Sequence, residues 1–437
     1  MDKAMNRQSL IFLFLSCLSA FPGNSQIILH SADETKDFAL KYNAGNKVQQ
    51  LKTAQTKQNK RTANAFLFPN ISAGASGQYN IHVQETPVPG ELMGKPGETV
   101  FLKFGKDYNY TAGINANYNL LNWTSVFESK TASAQVNLQE SSESYYAQQL
   151  KQQAVQAYYA VVVSQQAIDI WKQNLAVADS IKDLTNKKFS EGLVDLLSVN
   201  QAEINRKDVQ QQLDRAQLYL DQCQVQLKSV LSIPDSVSVS VIEKQAFAPV
   251  EADQLSLLPD KEADVYKNQA SVSDYQMKAA RSAFLPQISL KGYFGSYHYS
   301  DNIDPSFGSN WKPLSYVGLS VSVPIFTGFA NKSKYNASKI EKQMALNNYQ
   351  EAIRNSQIND SQLWRRYYSA LRVANITLEK LKLSEQNMAL ALRKYEEGLT
   401  GLSDYLNTFD ANLSIQNQYL TDASQFRVVQ AEMEARR

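Results

Sequence analysis

Two rhythms of apolar residues run through this chain. In the first, apolar and polar side chains alternate. Ile71, Ala73, Ala75, Gly77, Tyr79, Ile81 and Val83 interleave with Asn70, Ser72, Gly74, Ser76, Gln78, Asn80 and His82, and Ala112, Ile114, Ala116, Tyr118 and Leu120 with Thr111, Gly113, Asn115, Asn117 and Asn119. Val317, Leu319, Val321, Val323 and Ile325 do the same against Gly318, Ser320, Ser322 and Pro324, whereas residues 287–299 alternate more loosely and carry more aromatics. Successive side chains of a strand point to opposite faces, so a period of two predicts four β-strands, each with an apolar and a polar face.

The second rhythm spaces apolar residues three and four apart. Trp364, Tyr367, Leu371, Ala374, Leu378, Leu381, Met388, Leu392 and Tyr395 follow it with one interruption at Glu385, and Leu213, Ala216, Leu220, Cys223, Leu227 and Val230 repeat it. Such spacing forms coiled-coil seams. Residues 124–191 and 329–397, 68 and 69 residues long, contain neither Gly nor Pro. At ~1.5 Å per residue a helix over either run reaches about 100 Å, far beyond a compact domain. Each run ends at a glycine, Gly192 or Gly398, able to take the left-handed conformation that closes a helix. Residues 193–233 and 402–437 return from these glycines, which predicts two antiparallel helical hairpins. Alanines and small polar residues on their other faces suit a helical wall. Shorter helices are expected over 35–65 and 252–283, ahead of each strand pair.

These elements come in duplicate. Ala65-Phe66-Leu67-Phe68-Pro69-Asn70-Ile71-Ser72 is answered by Ala283-Phe284-Leu285-Pro286-Gln287-Ile288-Ser289, and Lys188-Phe189-Ser190-Glu191-Gly192-Leu193 by Lys394-Tyr395-Glu396-Glu397-Gly398-Leu399. The offset shrinks from 217 at the prolines to 206 at the glycines, a loss placed in the loops between the paired strands, residues 85–109 and 300–315. The expected organisation is a signal peptide at 1–25, a first repeat at 26–233 with its tip at 189–193, a linker at 234–250, and a second repeat at 251–437 with its tip at 395–399. The linker carries a short strand around Val237, Val239 and Val241, outside the main wall. The fold class is mainly α, with duplicated β-β-α-α halves and four strands per chain.

Lys3 and Arg7 precede the apolar run 10–18 and a small-residue end near Ser25, the pattern of an export signal. An alternative reading makes Cys17 a lipidated cysteine. With the leader removed, Cys223 is the sole cysteine and no disulfide can staple the fold; its apolar helical position predicts a packing role.

No segment approaches the ~20 consecutive apolar residues of a membrane helix, so a membrane role falls to the strands. Their lengths match the ~9–11 residues that cross an outer membrane. Tyr79, Tyr110, Trp123, Tyr297, Tyr299 and Tyr316 near their ends suit interfacial girdles; a sheet over a soluble core is the alternative. Lipid on the apolar side turns the polar side inward, which makes Ser72, Gln78, Asn115, Asn117, Ser320 and Ser322 lumen residues. Four strands cannot close a barrel, and open edges in lipid leave backbone groups unsatisfied at several kcal/mol each. Association with further copies is therefore required, although strand arithmetic does not choose between two copies and three.

The formal charge of +2 is spread over interspersed acids and bases, which gives no footprint for nucleic acid. His30, His82 and His298 are scattered, no Cys/His cluster has metal spacing, and neither a phosphate-cradling loop nor a G-x-S-x-G elbow is present. No enzyme activity, metal or cofactor is expected. His82 falls on the polar face of the first predicted strand and could line a lumen, but an uninvolved histidine at a loop end is the stronger reading. Asp404, Asn407 and Asp410 lie three apart on one helical face. Around an axis of copies that face becomes a ring of carboxylates that filters cations; otherwise it is a solvated surface, and Asp404 is the stronger candidate.

Together these features resemble the TolC family of outer-membrane efflux channels. The resemblance covers essentially the whole mature chain: duplicated halves, A-F-L-x-P leads into the strands, the exit Val323-Pro324-Ile325-Phe326-Thr327-Gly328 into the long helix, and paired F/Y-x-x-G-L tips. It implies a homotrimer with a 12-stranded β-barrel continuous with a 12-helix periplasmic α-barrel. It also implies tips, at Phe189, Gly192, Leu193, Tyr395, Gly398 and Leu399, that meet a periplasmic adaptor bridging to an inner-membrane pump of RND or ABC type. In the family an aromatic three residues before the second tip glycine helps hold the entrance closed, here Tyr395, and aspartates six and nine residues after it line the aperture. Asp404 matches the first of these; Asn407 replaces the second, and Thr400 stands where a basic residue is often found. The implied function is passive export from the periplasm through the outer membrane. The outlet of a type I protein secretion system is the alternative within the family, and a periplasmic coiled-coil scaffold or surface adhesin the alternative of another class.

Overall fold

The computed structural model describes residues 26–243, 260–306, 308 and 310–436. The expected signal peptide, Cys17 and part of the 234–250 linker lie outside these residues. In chain order the elements are β1 (Ile27–Leu29), α1 (Ala32–Tyr42), α2 (Ala44–Ala63), β2 (Asn70–Tyr79), β3 (Glu85–Pro89), β4 (Thr99–Lys103), β5 (Tyr108–Leu121), α3 (Trp123–Ser190), α4 (Leu196–Leu231), β6 (Val239–Val241), α5 (Glu262–Ser282), β7 (Gln287–Ser300), β8 (Lys312–Ser322), α6 (Ala330–Glu396) and α7 (Leu402–Glu434). Helix dominates, and α3 and α6 run unbroken for 68 and 67 residues.

Local chemistry sets the element ends. Ser31 caps α1 by accepting from the Glu34 amide at 3.1 Å, and Asp195 caps α4 by accepting from the Ser198 amide at 2.9 Å. The single helix expected over 35–65 is two helices. Asn43 takes an extended conformation between them and donates from Nδ2 to the Val230 carbonyl at 2.8 Å, an anchor that outcompetes helix continuation.

The chain divides into two compact units, each drawing on both halves of the sequence. One takes the described residues up to Leu51 together with Ser141–Ala263 and the chain from Ala352 onward; the other takes Lys52–Glu140 and Asp264–Glu351.

The first unit holds three apolar cores. Leu150, Val155, Tyr158 and Val162 of α3 pack with Cys223, Leu227 and Leu231 of α4 and with β1 and β6. Ile168, Trp171 and Ile181 pack with Val209, Leu213, Tyr395, Tyr405 and Phe409, and Tyr367 and Ala374 of α6 pack with Phe426, Val429 and Met433 of α7. The α6 seam crosses its interruption at Glu385 through a polar layer, in which Ser384 Oγ donates to Asn412 Oδ1 at 2.8 Å. The short strand expected in the linker is present. Val239–Val241 pairs in parallel with Ile27–Leu29, and Val239 and Val241 are buried in the first core.

The second unit carries one four-stranded antiparallel sheet in the order β2-β5-β7-β8. The central β5–β7 pairing knits the two sequence repeats together. Two strands stop earlier than the alternation suggests. Asn80 ends β2 by turning its backbone N–H to Asp107 O and its Nδ2 to Lys106 O, so His82 lies outside the ladder and not on a strand face. Pro324 lacks an N–H, and β8 ends at Ser322. The connection over 85–109, expected to be loop, contains the separate hairpin β3–β4.

Candidate functional site

Two regions bring the candidate residues together, one in each unit. In the first unit both hairpin tips close in the same way. The Gly192 N–H donates to Phe189 O and the Leu193 N–H to Lys188 O, and Gly398 and Leu399 repeat this to Tyr395 O and Lys394 O. Both glycines sit at φ +73°, where a side chain is strained, which explains why glycine stands at each reversal.

The tips nevertheless differ. Phe189 is 44% exposed and Tyr395 only 1%. Tyr395 Oη shares a 2.8 Å hydrogen bond with Thr185 Oγ1 of α3, Lys188 Nζ lies 4.1 Å from its ring centroid, and the same ammonium donates to the Tyr395 carbonyl oxygen. Its ring continues into a column with Tyr405 at 5.7 Å and Phe409 beyond. Tyr395 therefore ties the end of α6 to α3, and Thr185 and Lys188 are the partners that sequence reasoning missed. Burial pushes the Tyr405 hydroxyl pKa up, with Glu396 and Tyr395 adding to it, and that hydroxyl has no hydrogen-bond partner among the described residues. Leu193 and Leu399, at 68% and 73% exposure, project from the two reversals.

Asp404, Asn407 and Asp410 are all exposed on α7. Thr400 Oγ1 donates to Asp404 Oδ2 at 3.0 Å, so the residue standing at the often basic position orients the acid instead. Asn407 and Asp410 separate from Asp404 by lining a groove of about 760 Å3 with Gln201, Asn205 and Asp208 of α4. Asp410 has its pKa raised by desolvation and then by the Asp208 charge. Asp208 was not expected, because its partner acid lies on the other hairpin.

In the sheet, the register places Ser72 opposite Asn115, Asn70 opposite Asn117, Gln78 opposite Asn109, Ser289 opposite Ser320 and Gln287 opposite Ser322. With β5 and β7 in register, all six polar strand candidates fall on one face. The other face carries Ile71, Ala73, Ile114, Ala116, Leu290, Phe294, Val317, Leu319 and Val321.

At the strand ends joined by the 80–107 and 301–311 connections, that apolar face ends in a row of rings. Tyr79, Tyr108, Tyr110, His298 and Trp311 follow one another with centroids 4.9, 6.4, 6.0 and 5.8 Å apart. His298 is buried in this row, and among the described residues neither ring nitrogen has a hydrogen-bond partner. Tyr297, Tyr299 and Tyr316, expected as girdle residues, lie instead on the polar face, because they share the parity of Lys291 and Lys312.

β2 and β8 are the sheet's edges, each paired on one side only among the described residues. Among those residues no helix is long and apolar enough to cross a membrane, and no His/Cys/Asp/Glu group has metal-holding geometry.

Comparison with known proteins agrees with this architecture. The family model described as outer membrane efflux protein matches residues 43–232 and 264–434, while no curated protein matches by sequence. Among solved structures, the outer membrane protein VceC from Vibrio cholerae superposes with a TM-score of 0.75 at 17% identity, over 92% of this chain and 95% of its own. The Campylobacter jejuni CmeC outer membrane channel gives 0.72 at 20% identity over 92% and 85%. The open state of the Neisseria gonorrhoeae MtrE outer membrane channel gives 0.73 at 17% identity over 92% and 88%. At such identities the likeness is one of fold.

Proposed function

The chain belongs to the outer membrane efflux protein family, and from that premise we propose that it is the passive exit duct of a tripartite efflux assembly, driven by an inner-membrane pump. Outer-membrane location, with the helical part in the periplasm, and the role of channel subunit come with the family. The observation that carries the membrane reading is the sheet: one face apolar and ending in an aromatic row, the other polar, and both edges unpaired among the described residues. Lipid satisfies the first face and water the second. The edges demand partners, because unpaired backbone groups in hydrocarbon are costly. Three copies, edge to edge, close a 12-stranded barrel lined by Ser72, Gln78, Asn115, Asn117, Ser320 and Ser322, and their hairpins form a 12-helix periplasmic α-barrel continuous with it.

In this reading the tips meet a periplasmic adaptor, with the exposed Phe189, Leu193 and Leu399 as its apolar contacts and Gly192 and Gly398 shaping the reversals. Tyr395, Asp404 and Asn407 form the entrance. The tie from Tyr395 to Thr185 holds the second hairpin inward, and adaptor docking loosens it. Selection among pumps of RND or ABC type, and of cargo, rests largely with those partners.

The test of the membrane reading is thiol labelling in outer-membrane vesicles. Cysteine at Ser320 is expected to react with a water-borne maleimide, and cysteine at Val321 only with a lipid-partitioning one. The reverse pattern sinks the assignment of faces.

A further inference from the structure

The four long strands contain no Asp or Glu. Their only lysines, Lys291 and Lys312, both fall on the polar face: Lys291 stands opposite Asn117 and Gly318, and Lys312 opposite Tyr297. Both are exposed, and among the described residues neither is paired with a carboxylate. Six residues separate Lys291 from Tyr297, which sets the two ammonium levels roughly 20 Å apart along the strand.

Tyrosines fill the interval. Tyr293 and Tyr316 stand opposite each other with rings 5.8 Å apart at 23°. Tyr293 reaches over a floor of two facing glycines: a Cβ added at Gly113 or Gly295 would lie 2.7 Å from its hydroxyl. The missing side chains let the ring lie across the sheet rather than stand away from it.

We propose that this strip of β7 and β8 is a binding surface for anionic solutes that carry aromatic rings. Lys291 and Lys312 supply the attraction, and Tyr293 and Tyr316 the flat face. The inference rests on the polar face being the lumen. With no carboxylate in the strands to offset them, the lysines make the barrel wall electropositive, opposite in sign to the Asp404 end of the conduit. The tyrosines offer stacking surface to other rings and the lysines supply the preference for anions, so charge and ring recognition together define the class.

The experiment uses the full-length oligomer in outer-membrane vesicles with cysteine at Ser320, two residues along β8 from the partner of Lys291 and a diagonal neighbour of that lysine. Its modification rate is measured with anionic sulfonatoethyl and cationic trimethylammonioethyl methanethiosulfonates. An ammonium ~10 Å away changes each rate about twofold in opposite senses, so Lys291→Gln is expected to lower the anion-to-cation rate ratio about fourfold. Cysteine at Leu314 with Lys312→Gln is the matching pair for the other level. Naphthalene-1,5-disulfonate is expected to slow modification at Ser320, and the Tyr293→Leu/Tyr316→Leu pair to remove that protection. Rate ratios unmoved by either lysine substitution overturn the inference, as does protection that persists without the tyrosines. Modification at Val321 rather than Ser320 by both reagents is a different failure, that of the face assignment. Both lysines are exposed, so their replacement leaves folding intact, and heat-modifiable migration of the oligomer verifies it.

Discussion

Replacing Thr185 by Val isolates the tie between the two hairpins. Thr185 and Tyr395 are buried, and their 2.8 Å hydrogen bond joins α3 to α6. Valine keeps the shape but strands the Tyr395 hydroxyl, at a cost of ~1–3 kcal/mol. Tyr395→Phe is gentler, because Thr185 Oγ1 keeps its bond to the Ile181 carbonyl at 2.7 Å; only the net worth of one bond, ~0.5–1.5 kcal/mol, is lost. If entrance opening separates these groups and lets water reach the tyrosine, both penalties fall on the closed state alone. At about 1.4 kcal/mol per factor of ten, Tyr395→Phe raises the open fraction about fivefold and Thr185→Val about thirtyfold. The double variant returns to the level of Tyr395→Phe, since no buried hydroxyl is left without a partner. Single-channel open probability in planar bilayers reads the gate, and thermal unfolding of the same samples reads stability. Lowered melting temperatures with unchanged open probability would refute the latch and leave the bond purely structural.

Three further outcomes follow from the geometry. Gly398→Ala places a side chain at φ +73° with nothing within 4 Å of its Cβ, so the cost is conformational only, ~1–2 kcal/mol, and denaturant unfolding should register it without loss of assembly. Tyr405→Phe removes a buried hydroxyl that has no partner among the described residues and should raise stability by about 1 kcal/mol in the same assay. Asp410 has a folded-state pKa raised by desolvation and by Asp208. Such an acid contributes stability below its unfolded pKa and loses it as pH rises through the folded value. Asp410→Asn should therefore gain stability at neutral pH, by no more than ~0.5 kcal/mol at so exposed a site, and the gain should vanish below the usual aspartate range; a gain that grows on acidification contradicts the sign.

Much of this architecture is written in the sequence because its two periods are long and undisturbed. The alternation in β2, β5 and β8 showed which residues share a face, and the ladder agrees with it within the strands up to a register shift between Asn119 and Leu121 at the end of β5. The ends were less legible. Asn80 and Pro324 stop strands through hydrogen bonds made or missing, which hydropathy does not encode. The β3–β4 hairpin is short and holds Pro87 and Pro89, so it read as loop. The tyrosines of β7 obscured its polar face, since an aromatic scores as apolar wherever its ring points. The tip glycines were readable because a helix of this length needs a stop. Thr185 was not, because its partner stands 210 residues away and a polar residue inside a helix ordinarily faces water. Asp208 escaped for the same reason, one acid on each of two hairpins.

The central claim is that the sheet edges are closed by further copies within the membrane. Amide hydrogen exchange of the oligomer in outer-membrane vesicles, resolved by strand, tests it most directly. β5 and β7 are paired on both sides, whereas β2 and β8 each leave an edge open among the described residues of one chain. The account predicts that β2 and β8 exchange as slowly as β5 and β7, because a neighbouring copy completes their ladders. Fast exchange at every second amide of β2 and β8, with β5 and β7 protected, would contradict it and favour a scaffold with open edges.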